Sequence, residues 1–464
     1  MDTNFDRQMK IKQGSMFRAI TEVLRWSVLL SFLCGSFFVP SVHAQEFDRQ
    51  HFDHYLSVLD SAKRCMLSVA VHKNGELVYS SAIGYADALQ GIQVTEQTQY
   101  RIGSISKVFT SVLFLQLMEE GKVQLDAPLS LFYPDLPRAE EITMEMLLRH
   151  RSGLFNYTAL ADFEWFKDSV HSEQTLLARI DGLPLDFDPG SRFAYSNTNY
   201  ILLTFIVERL SGLSYAELLE KRIVQPLGLQ HTFYANGLHP EMGQALSHEF
   251  AADWRPLTSE THLTVSLGAG GIWSTPQDLN RFLFGIFHSG LLKESSLKEL
   301  TKLSDRYGLG IMSIPYNTYE ALGHGGNIDS FHSMTGHFLE DGWTVSATTN
   351  GCRESLNDIM IHLLDLCYGK TFDLPVFEEG IIYSDEELTS FCGSYTHPDL
   401  PFTIEVRSAD GGLIVQATGQ SSFRPESSVR NVFEYSKAQL KLTFHPEKDV
   451  MVLEQGRRFE MHRD

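Results

Sequence analysis

Ser104 and Lys107 stand three residues apart in "YRIGSISKVF". On a helix that spacing sets a hydroxyl and an amine on one face. A serine at a helix start meets exposed amides and the positive end of the helix dipole, which suit a developing oxyanion. The lysine beside it opens the strongly apolar run "VFTSVLFLQLMEEG". Burial there disfavours its charged form and lowers its pKa, as a proton acceptor needs. Two further groups could join them. Tyr195 and Asn197 in "PGSRFAYSNTNYILL" offer a phenol that can relay a proton and an amide that both donates and accepts. His324 in "LGHGGNIDSF" is followed by Gly325 and Gly326, which let the backbone before Asn327 approach a ligand closely.

Each group also has a plain structural reading. Ser104 could be a helix cap with Lys107 reaching outward, Asn197 or Asn199 a cap beside a packed tyrosine, and His324 a satisfied side chain in a glycine turn. Each motif also occurs a second time: Ser295/Lys298, Tyr234/Asn236 and His288/Gly290. Context separates the two sets. Lys298 lies in the amphipathic "LLKESSLKELTKL", where it can pair with Glu294 and stay charged. Tyr234 and Asn236 read as a turn, and His288 closes a helix that Gly290 ends.

The elements that must position these residues are legible at the two ends. "MLSVAVHK", Asn74-Gly75 and "ELVYSSAIGYAD" read as a hairpin, and so do "FHSMTGHFL", a turn with Asp341-Gly342, and "WTVSATTN". Between them the pattern is mostly helical, after residue 104, around 199–211 and in "STPQDLNRFLFGIFHSG" with its Thr275 cap. The expectation is an α/β (α+β) fold: an antiparallel sheet assembled from both ends, flanked by helices, with a helical insertion. Residues 381–464 alternate as strands and read as a small C-terminal all-β domain. The expected division is a signal peptide over 1–44, a hydrolase-like domain over 45–372, a linker over 373–380 and the β domain over 381–464.

Taken in order, these motifs resemble the serine β-lactamase and penicillin-binding-protein superfamily, in its class C-like branch of DD-carboxypeptidases, D-aminopeptidases and esterases. The resemblance covers roughly residues 50–365 and includes "ITMEMLLRHRSGL", "VQPLGLQHT" and "GAGGIWSTPQDLNRF". It implies a serine hydrolase working through a Ser104 acyl-enzyme on an amide or ester, with Lys107 and Tyr195 taking the proton and Asn197 orienting lysine and substrate. It further implies substrate contacts along His324, Gly325, Gly326 and Asn327, with an oxyanion hole from the Ser104 and Asn327 amides, and no cofactor. Many members carry Lys-Thr-Gly where this chain has His324-Gly325-Gly326, so selection by a substrate carboxylate is not implied. The alternative is a penicillin-binding sensor that does not turn over.

Composition bounds the rest. At 464 residues, 43% hydrophobic and 21% charged, the chain can bury a sizeable core. "WSVLLSFLCGSFFV" after Arg18 and Arg25, followed by "SVHA", reads as an export signal cleaved after Ala44. The first 44 residues carry five basic and three acidic side chains, so without them the net charge of -20 becomes -22. That balance opposes nucleic acid as a partner, and no later run is long enough to span a membrane. The expected partner is a small-molecule or peptide substrate, cell-wall fragments among the candidates, met in the periplasm or outside the cell. Cys65, Cys352, Cys367 and Cys392 match no metal spacing, and their pairing is left open.

Overall fold

The computed structural model describes residues 47–464 apart from 236–239, 252, 378–380, 382, 401, 410, 419, 421 and 436–437. The expected signal segment lies outside the described residues, as do the last three residues of the expected linker. Among the described residues no helix is long and apolar enough to cross a membrane.

The two hairpins form. β1 (Cys65–Lys73) and β2 (Glu76–Ile83) turn at Asn74 and Gly75, both in the left-handed region that this pair of residues tolerates. β3 (Met312–Tyr316), β4 (Tyr319–Ile328), β5 (Phe331–Phe338) and β6 (Trp343–Cys352) complete a six-stranded antiparallel sheet in the order β2-β1-β6-β5-β4-β3. The N-terminal and downstream hairpins thus meet along β1 and β6. The turn of one touches the turn of the other, where the Asn74 amide donates to the Gly342 carbonyl at 2.8 Å. Opposed in that register, Cys65 and Cys352 are joined as a disulfide, while Cys367 and Cys392 are free thiols.

Helices cover both faces. α1 (Arg49–Ser61) and a helix over Leu356–Cys367 pack on one face through Phe52, Leu56, Ile359 and Leu363. On the other lies a larger helical core built around α2 (Ser106–Glu119), every residue of which from Ser106 to Leu115 is buried. Around it stand α3 (Asn197–Ser211), α4 (Leu263–Gly270) and α5 (Pro276–His288). α5 starts as its sequence predicts, with Thr275 Oγ1 accepting from the Asp278 amide at 3.2 Å.

Eight strands between Gly393–Thr396 and Arg457–Arg463 form a second antiparallel sheet, curled like a barrel with its own apolar cluster. A short helix, Asp385–Phe391, precedes them and was not expected. Its capping box of Ser384 and Glu387 is nevertheless written in the sequence.

Candidate active site

The short strand Tyr100–Arg101 pairs with Trp273–Ser274 and delivers the chain into a 3₁₀ turn, Gly103–Ile105. Ser104 therefore sits on that turn, two residues before α2 begins, rather than inside the helix itself. Gly103 has φ +52 and Gly326 of β4 lies against the same turn. A Cβ on Gly326 would stand 1.9 Å from the Ile102 carbonyl oxygen and 3.0 Å from the Ser104 nitrogen. Only glycine permits so close an approach of two backbones.

Lys107, in the first turn of α2, is fully buried. Its Nζ lies 3.0 Å from Ser104 Oγ, 2.9 Å from Asn197 Oδ1 and 2.7 Å from the Ala269 carbonyl oxygen. Burial holds its pKa well below the ordinary lysine value, so the uncharged amine is favoured. A neutral amine has two protons and one lone pair. The Ala269 carbonyl can only accept. So can Asn197 Oδ1, whose orientation is fixed because its Nδ2 donates to Thr158 Oγ1 at 3.1 Å while Thr158 donates to Asn156 Oδ1 at 3.0 Å. Both amine protons are thereby engaged, and the lone pair is left for the Ser104 hydroxyl.

Tyr195 closes the group. Its ring centroid is 4.9 Å from Lys107 Nζ, and its hydroxyl lies within interaction range of the Ser104 side chain. The ring is 37% exposed, but its hydroxyl end is enclosed, and that burial pushes the phenol above its usual pKa. The lysine nearby does not pull it down, because the amine is itself favoured uncharged. Burial thus favours the neutral form of amine and phenol alike.

His324 is the other departure. It is 4% exposed, and burial brings its pKa down to about 4 against the pull of the Gly325 carbonyl. Its Nε2 lies 3.1 Å from the Tyr307 hydroxyl and its Nδ1 against the Gly325 carbonyl. A partly charged histidine held out to substrate is therefore not what this position supplies. The next residues differ: Gly326 touches the Ser104 turn, and Asn327 is exposed, with Oδ1 2.7 Å from His332 Nδ1.

A buried ion pair ties the two backbones on either side of Ser104. Arg101, three residues before it, donates to Asp329 Oδ2 at 3.1 Å, to the Thr261 carbonyl at 2.7 Å and to Ser266 Oγ at 3.2 Å. Asp329 lies at the β4–β5 turn, two residues after Asn327, and also accepts from Thr261 Oγ1 at 2.8 Å. The two side chains are 2% and 1% exposed. Asp329→Asn is expected to lower the unfolding free energy by about 3 kcal/mol in urea titrations, because it leaves a buried guanidinium without its main counter-charge. Glu260, 3.9 Å away, keeps the loss near that figure.

A family model described as Beta-lactamase matches residues 52–362, which span all the residues above. The chain belongs to the Beta-lactamase family. Among curated relatives, the teichoic acid D-alanine hydrolase of Staphylococcus aureus strain NCTC 8325 is 28% identical over 254 residues, 53% of this chain and 62% of the relative. The MRSA252 protein of that name is 30% identical over 216 residues, 47% and 53% of the two chains. The chain thus spans less than two thirds of the length of those relatives. Among solved structures, a D-amino acid amidase from Ochrobactrum anthropi SV3 with L-phenylalanine amide aligns with TM-score 0.60 and 26% identity, over 69% of this chain and 99% of that one. The octameric penicillin-binding protein homologue from Pyrococcus abyssi shares the fold at 22% identity and TM-score 0.60, over 89% and 99%.

The second copies of the three motifs stand apart from this family site. Lys298 is exposed and pairs with Glu294 at 2.7 Å. His288 ends α5 and faces His337 at 3.4 Å. Asn236 lies outside the described residues. Two residues beside the site, His150 and Tyr307, were not singled out from sequence. His150 lay within the quoted "RHRSGL", but nothing there marks a role, and "DRYGLG" around Tyr307 carries no periodic signal.

Proposed function

We propose that this chain is a serine hydrolase that cleaves an ester or amide of a D-amino acid through an acyl-enzyme on Ser104. The observation that supports it most is the cage around Lys107, which leaves an unprotonated amine one acceptor site, aimed at the hydroxyl. In the reaction Ser104 Oγ gives its proton to Lys107 Nζ and bonds to the carbonyl carbon. The oxyanion is met by the Ser104 and Asn327 amides, of which one such donor is typically worth about 3–4 kcal/mol. The ammonium passes its proton through Tyr195 to the leaving nitrogen or oxygen, which departs. A water then attacks the acyl carbon and gives its proton by way of Tyr195 to Lys107, which passes it to Ser104 Oγ as the acyl–oxygen bond breaks. A neutral Tyr195 suits this role, since a relay must hold a proton to give. Asn197 keeps the lysine in place.

The substrate class draws on relatives whose names specify D-alanine hydrolysis and D-amino acid amides. A buried, neutral His324 agrees with a substrate that offers no carboxylate at that position. We further propose that residues 1–44 direct export, that the hydrolase part covers 45–372, and that 381–464 form an appended β domain.

The test is labelling with a fluorophosphonate and a fluorescent penicillin, with Ser104→Ala as control, followed by turnover of p-nitrophenyl D-alaninate and D-alanine amide. Labelling and turnover that depend on Ser104 support the reading. Label without turnover would mark a binding protein instead, and turnover by Ser104→Ala would overturn the nucleophile. Tyr195→Phe is expected to separate the substrates. p-Nitrophenolate leaves without a proton and an amine does not, so the loss on the amide should exceed that on the ester by about tenfold.

A further inference from the structure

Four buried groups beside the site form a hydrogen-bond chain whose proton order can be derived. The Ser196 amide donates to His150 Nδ1 at 3.1 Å. His150 is fully buried, and burial holds its pKa well below the ordinary histidine value, so it is neutral and its one proton is on Nε2. Nε2 lies 3.2 Å from the Tyr307 hydroxyl and donates to it. At the other end the Gly325 carbonyl can only accept, so His324 carries its proton on Nδ1 and presents a bare Nε2. The Tyr307 proton therefore goes to His324 Nε2, at 3.1 Å. Tyr200, whose hydroxyl also interacts with Tyr307, donates to the Leu148 carbonyl at 2.8 Å and so does not compete for His324 Nε2. With the protons so placed, both imidazoles have a partner at each ring nitrogen.

The chain's two ends matter. Ser196 lies between Tyr195 and Asn197, and Gly325 lies between His324 and Gly326. These are separate segments, one leading into α3 and the other running along β4, and each carries part of the proposed machinery.

We propose that Tyr307 is a positioning residue: by accepting from His150 and donating to His324 it fixes the Tyr195–Asn197 segment against the His324–Asn327 strand and holds His324 as the Nδ1–H tautomer. This rests on the hydrolase reading above. The hydroxyl touches no reacting atom and acts through the two imidazoles. Without it, His150 Nε2–H and His324 Nε2 both lose their partner inside the protein, and His324 can revert to the Nε2–H form common for free imidazole. The Gly325 peptide then loses the donor that orients it, and with it the direction of the next amides of β4.

The experiment uses the full chain with Tyr307→Phe, which keeps the ring and removes the hydroxyl. Single-turnover acylation by p-nitrophenyl D-alaninate is expected to slow about tenfold while KM stays within about threefold. Adding His324→Asn to Tyr307→Phe should cost no more than the worse single change, because both break one chain. Nitrogen-15 histidine NMR of the unaltered protein, assigned with His324→Asn, should show His324 protonated on Nδ1 and bare on Nε2. This measurement stands even if the Tyr307 variant folds poorly. Acylation by Tyr307→Phe within about twofold of the parent, with Ser104→Ala inactive, would overturn the positioning role alone. An Nε2–H His324 in the parent would do the same. An active Ser104→Ala would overturn the hydrolase reading, and the positioning role with it.

Discussion

Lys107→Ala will keep the Ser104 hydroxyl and slow its acylation by about 10²–10⁴-fold, the range a positioned general base contributes. The companion change is Lys107→Arg. A guanidinium can satisfy Asn197 Oδ1 and the Ala269 carbonyl, the two acceptors that the amine engages, yet it stays charged and offers no lone pair. It should be as slow as the alanine variant. If the arginine variant acylated at near-parental rates, the lysine would be serving as a charge and not as a base. The pH profile gives an independent check. The active form is the unprotonated amine, so the rate rises with pH through the Lys107 pKa and then levels off. Burial lowers that pKa, so the plateau should be reached well before the region where an ordinary lysine titrates. A fluorophosphonate labelling rate that still climbed tenfold per pH unit near pH 9 would contradict a neutral resting amine.

The burial of Lys107 was readable because it opens a run with almost no polar residue on any face, so a lysine there has no outward side to reach for. The two end hairpins were readable from their turn residues and alternation. What the chain could not show is how distant segments face one another. His324 shows the limit. Its sequence neighbours are glycines, which suggest an open, ligand-facing strand, but β4 carries His324 inward with Gly326, where burial favours its neutral form and its partner comes from residue 307. The disulfide is another case. Cys65 and Cys352 become neighbours only once β1 and β6 pair. Ser104 was placed at a helix start, and the structure puts it on the preceding turn because Gly103 and the β4 backbone hold the chain in a left-handed step there.

Gly326→Ala should cripple catalysis through a single methyl group. The position does not need a left-handed backbone, so alanine is conformationally allowed, and space alone forbids it. The added carbon would fall 1.9 Å from the Ile102 carbonyl oxygen and 3.0 Å from the Ser104 nitrogen. Both neighbours are backbone and cannot rotate away. β4 or the Ser104 turn must retreat by about 1 Å, since carbon and oxygen not bonded to each other pack near 3.3 Å. The Arg101–Asp329 pair resists that retreat by holding the two backbones from beneath. An oxyanion donor must stand within about 2.7–3.1 Å of its target, and a misplacement of about 1 Å can cost about 10²-fold. The expected result is therefore a loss of about 10²-fold in kcat for both ester and amide, with labelling slowed in step. Gly325→Ala is the comparison, because its nearest neighbour for an added carbon is the Ser333 carbonyl oxygen at 3.8 Å, an ordinary contact. Its loss should be much the smaller of the two. Equal losses would mean that the strand matters for its flexibility; a large loss at Gly326 alone would mean that it matters for how closely its backbone meets the serine.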